Sequence, residues 1–128
     1  MRKLLLDTDV LIDHLRGHRP LAAEDAAISV ITRTELFAGD EGQEPAVKAL
    51  LDDYEEVAVD SRIAQRAGRI KRQTGLQIAD AVIAATALER ELALMTRNRR
   101  HFERVSGLTL RAPVEQAEAR PAVKRPGT

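Results

Sequence analysis

The sequence predicts a single α/β domain of three layers, in which a central, mainly parallel sheet is flanked by helices. Short apolar segments of strand length alternate along the chain with segments of helical periodicity, and this alternation is typical of sheets covered by helices on both faces. The length of 128 residues fits one domain. We expect that domain to span residues 1–112, and we expect the polar tail at 113–128 to be largely disordered.

The first half of the chain supplies three predicted strands and four predicted helices. Gly17 and Gly39 follow helical segments directly, and glycine commonly ends helices. The Val-rich segment 57–59 is typical of a strand. The predicted strands are 3–6, 27–30 and 57–59, and the predicted helices are 10–16, 19–25, 32–38 and 46–51.

The second half contains the longest helices. Asp60 or Ser61 is expected to cap a helix that runs to about Gln73, before Gly75. The segment 78–92 is rich in Ala and apolar nearly all round until Glu89, so this helix is expected to be buried. A strand at 93–95, a short basic helix at 98–104 and a strand at 108–110 complete the prediction.

Composition excludes several classes of protein. The chain has no Cys, which excludes disulfide scaffolds, thiolate zinc sites and cysteine nucleophiles. Aromatic residues make up only 2%, so base-stacking platforms are not expected. The 3 His are too scattered to suggest a histidine metal site. No apolar run is long enough to cross a membrane, and we expect a cytoplasmic protein.

Acidic or amide side chains stand near the ends of the predicted strands. Asp7 follows the first strand, Glu35 lies in the helix after the second, Asp80 opens the buried helix, and Asn98 follows Thr96 at a later strand end. Parallel strands bring such positions to one edge of the sheet. Carboxylates that face each other repel unless a cation lies between them. Mg²⁺ or Mn²⁺ suits these oxygen ligands, and either ion can activate water for attack on a phosphodiester.

Each of these residues also has a purely structural interpretation. Asp7 or Asp9 fits the cap of the helix at 10–16, and the segment from Thr32 to Glu35 matches a capping box. Asp80 and Asn98 fit the caps of the helices that follow them. Spacing alone leaves capping and metal binding both open.

Four segments, taken together, form a more specific pattern. They are LLDTDVLI at 5–12, SVITRTELFAG at 29–39, LQIADAVIAATA at 76–87 and TRNRRHF at 96–102. In this order they resemble the motifs of PIN-domain ribonucleases, specifically VapC-type toxins of toxin–antitoxin pairs. The resemblance covers roughly residues 3 to 110.

The resemblance implies a Mg²⁺- or Mn²⁺-dependent endoribonuclease that leaves a 5′-phosphate and a 3′-hydroxyl. It implies that Asp7, Glu35 and Asp80 are catalytic metal ligands, with Asp7 and Asp80 as the direct ones. Thr8 and Thr96 would orient carboxylates or water.

The resemblance also implies partners. It implies a homodimer and a cognate antitoxin, a segment of which sends Arg or Lys into the acidic site. DNA would be contacted only through the antitoxin. The apolar surface for that segment is expected around the first helices, at Leu11, Leu15, Leu36 and Phe37.

Two positions depart from the family pattern. Asn98 stands where the family often has Asp, and its amide supplies an oxygen but no charge. We therefore expect one firmly bound ion, with Asn98 still assisting catalysis. Asp9 replaces the usual Asn, and we interpret it as a helix cap. Asn98 also leaves open a catalytically degenerate PIN domain that binds RNA or a partner without cleaving.

Basic residues offer a path for RNA. A cluster beside the proposed fourth site, Asn98, is predicted to contact the RNA backbone, and the alternative is that these residues form a solvated helix face. We interpret a second basic stripe at 62–72 as solvated surface and His101 as a surface side chain. The predicted RNA-binding residues are Arg97, Arg99, Arg100 and Arg104.

Two phosphoryl-transfer modules compete with the nuclease interpretation. A haloacid-dehalogenase-type phosphatase also begins with acids after its first strand, but no second acidic pair follows Thr96 here. A response-regulator receiver could use Asp9, Asp60 and Thr96, yet no lysine lies between Lys71 and Lys124. Both alternatives lack a group that their chemistry needs.

Overall fold

The structure, a computed structural model, describes residues 4–17 and 25–113 of the chain, so the predicted helix at 19–25 and the tail lie almost wholly outside the described residues. The strands are β1 Leu4–Leu6, β2 Ala26–Ser29, β3 Glu55–Val57, β4 Ala93–Met95 and β5 Leu110–Arg111. The helices are α1 Thr8–Leu15, α2 Val30–Phe37, α3 Glu44–Leu51, α4 Ser61–Thr74, α5 Ile78–Glu89 and α6 Arg99–Phe102, and a 3₁₀ turn at Glu41–Gln43 precedes α3.

The five strands form one sheet in the order β3-β2-β1-β4-β5, and every pair is parallel. The prediction of a three-layer α/β domain is confirmed. The chain builds outward from β1 in both directions, so the carboxyl ends of β1 and β4 flank a topological switch point. Ligands of parallel α/β sheets bind at such points. Leu6 lies opposite Met95, and the residues that follow them, Asp7 and Thr96, therefore leave the sheet side by side.

Alternate residues of each strand point into two separate cores. Leu5, Ala27 and Leu94 pack with α4 and α5 on one face of the sheet. On the other face, Leu6 and Met95 pack with α1, α2 and α3. Helix α5 lies so deep that the seven consecutive residues 81–87 are all buried, as its apolar composition predicts. The sheet and both helical layers thus fix the position of the residues at the carboxyl edge.

The ends of α4 follow the sequence signals. Asp60 caps the helix by accepting a hydrogen bond from the backbone N–H of Ile63 at 2.9 Å. Gly75 ends it with a φ of 81°, a left-handed conformation that glycine adopts without a steric penalty. Asp60 is therefore a helix cap in this fold.

Several predicted boundaries are wrong by a few residues. Strand β3 lies at 55–57, where the prediction was 57–59, and β5 begins at 110, where it was 108. Helix α2 begins at Val30 and is capped by Ser29, so the capping box proposed for Thr32 and Glu35 does not form. Within the described ranges, no helix is both long enough and apolar enough to span a membrane.

Candidate active site

Asp7 is held in place by two neighbouring segments. Its Oδ1 accepts a hydrogen bond from the backbone N–H of Thr8 at 2.8 Å and caps α1. Its Oδ2 accepts one from the hydroxyl of Thr96 at 2.8 Å, across the β1–β4 pair. The residue is only 6% exposed. Asp7 therefore caps α1, one of the two roles that the sequence left open, and it also lies at the carboxyl edge of the sheet.

The surroundings of Asp7 oppose its negative charge. Burial, together with the charges of Asp9 and Asp80, raises the pKa of the Asp7 carboxyl to about 7, against the hydrogen bonds from Thr96 and Thr8, which lower it. Burial likewise raises the pKa of Asp9, against the hydrogen bond from the Arg97 backbone. A buried carboxylate beside like charges is stabilised by a cation.

Two threonine hydroxyl groups connect Glu35 to the start of α1 through hydrogen bonds. The Thr8 hydroxyl donates to Glu35 Oε1, and the Thr8 and Thr32 hydroxyl oxygens lie 3.0 Å apart. Because Thr8 uses its one proton on Glu35, Thr32 must donate to Thr8. Thr32 is fully buried. These hydrogen bonds fix the position of Glu35 on α2 relative to the start of α1.

Asp80 lies in the first turn of α5, three residues after the N-cap Gln77, and so does not cap the helix. Its Oδ2 lies 2.9 Å from Nε2 of His101, whose ring packs edge-on against Phe102. His101 is partly exposed, but it is not the free surface side chain that the sequence predicted, because it contacts Asp80. The one sequence signal for this contact is that His101 lies within the fourth motif segment.

Two acids on α1 hold the loop between β4 and α6. Asp9 lies inside α1, so its assignment as the cap is wrong, because the helix begins earlier at Thr8. Its carboxylate accepts a 3.3 Å hydrogen bond from the backbone N–H of Arg97. One helical turn later, the buried Asp13 forms a 3.0 Å ion pair with the Arg97 guanidinium. These contacts position the loop that carries Asn98.

The four predicted catalytic residues, Asp7, Glu35, Asp80 and Asn98, meet in one cavity of about 270 Å³, here called the acidic cavity. Four carboxyl groups line it, and no Lys or Arg of the described residues does so. Carboxylate oxygens are the donors that Mg²⁺ and Mn²⁺ prefer, so the residue types fit such an ion. The lining residues are Asp7, Thr8, Asp9, Ile12, Glu35, Asp80, Asn98, His101 and Phe102.

The acidic cavity is not a ready-made coordination shell. Across residues 4–17 and 25–113, no three acidic or histidine side chains stand close enough together to hold one ion. Thr8 and His101 each bind an oxygen of a carboxylate. Metal binding would therefore require the side chains of Glu35 and Asp80 to move toward Asp7.

The predicted basic cluster divides into separate parts. A second cavity of about 420 Å³, here called the basic cavity, is lined by residues 96–100, 112 and 113. Asn98 lines both cavities. Arg99 and Arg100 are exposed in the basic cavity, whereas Arg97 is paired with Asp13. Arg104 does not line this cavity, because its guanidinium donates to the carbonyl of Thr74 at 2.8 Å.

The predicted apolar surface is partly core. Leu11 and Leu36 are buried, at 0% and 7% exposure, so these two residues do not form a free surface. Leu15 and Phe37 are half-buried. A third cavity of about 360 Å³, here called the α1–α3 groove, lies beside them. Its lining residues are Ile12, Leu15, Arg16, Glu35, Leu36, Gly39, Asp40, Gln43 and Val47.

Comparison with known proteins agrees with this geometry. The profile of the family described as PIN domain matches residues 4–108. Ribonuclease VapC1 of Methanocaldococcus jannaschii is 35% identical over 116 residues, which cover 85% of each chain.

Two solved structures share the fold. The DNA-bound VapBC crystal structure from Salmonella typhimurium contains a chain with a TM-score of 0.79 and 26% identity, and the match covers 88% of this chain and 98% of that one. A toxin–antitoxin complex from Klebsiella pneumoniae contains one with a TM-score of 0.72 and 29% identity, covering 87% and 98%.

The raised pKa of Asp7 predicts a pH-dependent stability of the metal-free protein. The folded state holds this proton up to about pH 7, whereas an unfolded Asp releases it near 3.8. Raising the pH between these values therefore favours unfolding. Asp7→Asn should remove this penalty and stabilise the protein at pH 8 by on the order of 2 kcal/mol, with little effect near pH 4.

Urea unfolding in EDTA at several pH values measures this difference. Asp60→Asn is the matched control, because it neutralises an exposed acid outside the cavity. If wild type and Asp7→Asn lose the same stability between pH 4 and pH 8, the account of Asp7 is wrong.

Proposed function

The chain belongs to the PIN-domain family, and we propose that it is the ribonuclease toxin of a toxin–antitoxin pair, a metal-dependent endoribonuclease. The observation that carries the proposal is the acidic cavity at the carboxyl edge of the sheet, which gathers Asp7, Glu35 and Asp80 from three separate motif segments. Family membership also removes the phosphatase and receiver alternatives. VapC proteins similar to this chain are named ribonucleases.

In this proposal Asp7 and Asp80 are direct ligands of Mg²⁺ or Mn²⁺, and Glu35 is a ligand directly or through water. When bound, the ion supplies charge neutralisation at the scissile phosphate and activation of the attacking water. Asn98 offers an uncharged amide oxygen at the position where the family often has the carboxylate of an Asp. The lower charge favours one firmly held ion.

Three side chains that contact these acids hold the carboxylates in position. Thr96 orients Asp7 through a hydrogen bond to Oδ2, and Thr8 orients Glu35. His101 fixes one oxygen of Asp80. Each of these contacts orients one carboxylate oxygen, and such orienting groups commonly tune a metal site. We assign them positioning roles.

The RNA strand is proposed to pass from the acidic cavity into the basic cavity. Asn98 lines both, so a phosphate next to the cleaved one would meet Arg99 and Arg100. Guanidinium groups bind phosphate oxygens through paired hydrogen bonds. Arg97 contributes charge to the same cavity but is anchored to Asp13. Arg104 faces away from this path.

The partner is proposed to be an antitoxin that occupies the α1–α3 groove. VapBC complexes are among the similar solved structures. Ile12 and Glu35 line both the groove and the acidic cavity, so a bound segment could extend a Lys or Arg into the acids. A homodimer in the cytoplasm and contact with DNA only through the antitoxin complete the proposal.

Asn98 favours a second candidate, a PIN domain that binds RNA or a partner without cutting. Its amide carries no charge, so the four motif positions Asp7, Glu35, Asp80 and Asn98 bind a cation less strongly than four acids at these positions would. In the catalytic proposal, Asp9 adds the missing charge to the cavity.

Cleavage of labelled RNA by purified protein with Mg²⁺ or Mn²⁺ tests the catalytic proposal. Asp7→Asn and Asp80→Asn should each reduce the rate by at least about 100-fold, because each removes a charged ligand. EDTA should abolish cleavage by the wild type. Asp60→Asn should cut normally, since this residue lies outside the cavity.

Equal cutting by wild type and Asp7→Asn would assign the activity to a contaminating nuclease. If wild type cuts none of several structured RNAs, the non-cleaving alternative gains support. Thermal melts of the variants accompany the assay, because loss of activity through unfolding would instead indicate a purely structural role for the replaced acid.

Replacing Arg99 and Arg100 together by Ala tests the basic cavity. RNA binding should weaken, and the slope of log K against log salt should become shallower by about 1.5, because about two phosphate contacts are lost. Lys48→Ala on α3 is the control for general loss of charge. Filter binding over a salt series measures the slope, and an unchanged slope would exclude the basic cavity from the RNA path.

A further inference from the structure

Helix α4 concentrates positive charge that the proposed active site does not use. The helix contains five basic residues and no acidic residue, in a chain that balances 20 Lys and Arg against 20 Asp and Glu. Its apolar side is buried at Ile63, Ala67 and Ile70. The basic side chains therefore lie on the remaining surface. They are Arg62, Arg66, Arg69, Lys71 and Arg72.

Few carboxylates balance these charges. Arg62 and Arg66 share one acid, Glu89, at 3.2 Å and 2.7 Å. Lys71 donates to the carbonyl of Leu76, which carries no full charge. Arg69 and Arg72 are exposed and form no ion pair with any residue of the described ranges. This surplus distinguishes α4 from an ordinary solvated face, in which opposite charges alternate.

The surplus charge borders a groove of about 290 Å³, here called the α4 groove. Guanidinium, amide and hydroxyl groups supply its polar lining, and no acidic residue of the described ranges lines it. Arg104 holds one end in place, because its guanidinium donates to the carbonyl of Thr74 at 2.8 Å. The lining residues are Arg66, Arg69, Ile70, Gln73, Thr74, Leu88, Val105 and Ser106.

The α4 groove and the acidic cavity share two elements of the chain. Helix α5 places Asp80 in the cavity and Leu88 in the groove. Eight residues separate them, which is roughly 12 Å along a helix axis. The segment after β4 likewise contributes His101 to the cavity and Ser106 to the groove. A span of roughly 12 Å corresponds to about three or four phosphates along one strand of a duplex.

We propose that the α4 groove is a second RNA contact, which binds backbone phosphates of a folded RNA outside the cleavage site. The proposal rests on the proposed function, in which RNA is the substrate. Arg69 lines the groove and Arg72 lies three residues further along the exposed side of α4, so these two residues supply the free guanidinium groups. Gln73 and Ser106 supply neutral hydrogen-bond donors. No aromatic residue of the described ranges lines the groove, so base stacking does not contribute to binding there. The groove would favour folded RNA over short single strands.

The first test measures binding of a labelled RNA hairpin of about 30 nucleotides to the full chain in EDTA over a salt series. Arg69→Gln/Arg72→Gln should weaken binding about tenfold and make the log–log salt slope shallower by about 1.5, as two lost phosphate contacts predict. Arg33→Gln/Lys48→Gln is the matched control, because it removes two positive charges outside the groove. Wild-type affinity and slope in Arg69→Gln/Arg72→Gln would overturn the proposal.

The second test compares cleavage of the hairpin with cleavage of a six-nucleotide RNA. The Arg69→Gln/Arg72→Gln protein should show a raised KM for the hairpin, with the kcat for both substrates and the KM of the short RNA unchanged. If kcat/KM falls equally for the hairpin and for the short RNA, the proposal of a separate contact is overturned. Melting temperatures of both double variants accompany the assays, and all four substitutions affect partly or fully exposed side chains.

The two tests separate this inference from the proposed function. If wild type cuts RNA but the groove variant matches it in binding and KM, only the second contact fails. If wild type neither binds nor cuts RNA, the proposed function fails and this inference fails with it. Binding of an acidic peptide that depends on Arg69 and Arg72, without an effect on RNA, would assign the groove to a protein partner and overturn the proposal.

Discussion

The geometry of the acidic cavity depends on one buried carboxylate at the end of β1. Asp7 starts α1 through its bond from the Thr8 N–H and ties β4 to β1 through its bond from the Thr96 hydroxyl. Burial beside Asp9 and Asp80 makes its charge unfavourable without a cation. The same group therefore organises the local backbone and creates the need for a positive ligand. Contacts from the start of α1 and from the end of β4 hold the Asp7 carboxylate at both oxygens.

Apolar pattern predicted most of the fold because burial determined most of the elements. Residues 81–87 are buried on every side, and the alternation of Leu5 and Leu6 between two cores fits a sheet covered on both faces. Strand β3 was misplaced because it is an edge strand. Glu55 and Glu56 are exposed, and pairing with Ala27 and Ile28 holds that strand, a contact that side-chain pattern does not reveal.

The candidate site was predictable where a side chain directly follows a strand, as Asp7 and Thr96 do. It was less predictable where a contact joins distant segments. His101 meets Asp80 across 21 residues of sequence, and no periodicity links them. The apolar pattern starts the first helix at residue 10, two residues later than the structure does, and therefore predicts Asp9 as its cap. Arg104 follows three other arginines in sequence, yet the turn after α6 directs it to Thr74.

Calorimetric titration of Mn²⁺ tests the central claim that Asp7 makes the acidic cavity a cation site. The metal-free wild type and Asp7→Asn proteins are compared at pH 8, with Asp60→Asn as the control for loss of one negative charge. The account predicts that wild type and Asp60→Asn bind one ion with similar affinity and that Asp7→Asn binds at least about tenfold more weakly, since a charged ligand is lost. Equal affinity in wild type and Asp7→Asn would contradict it.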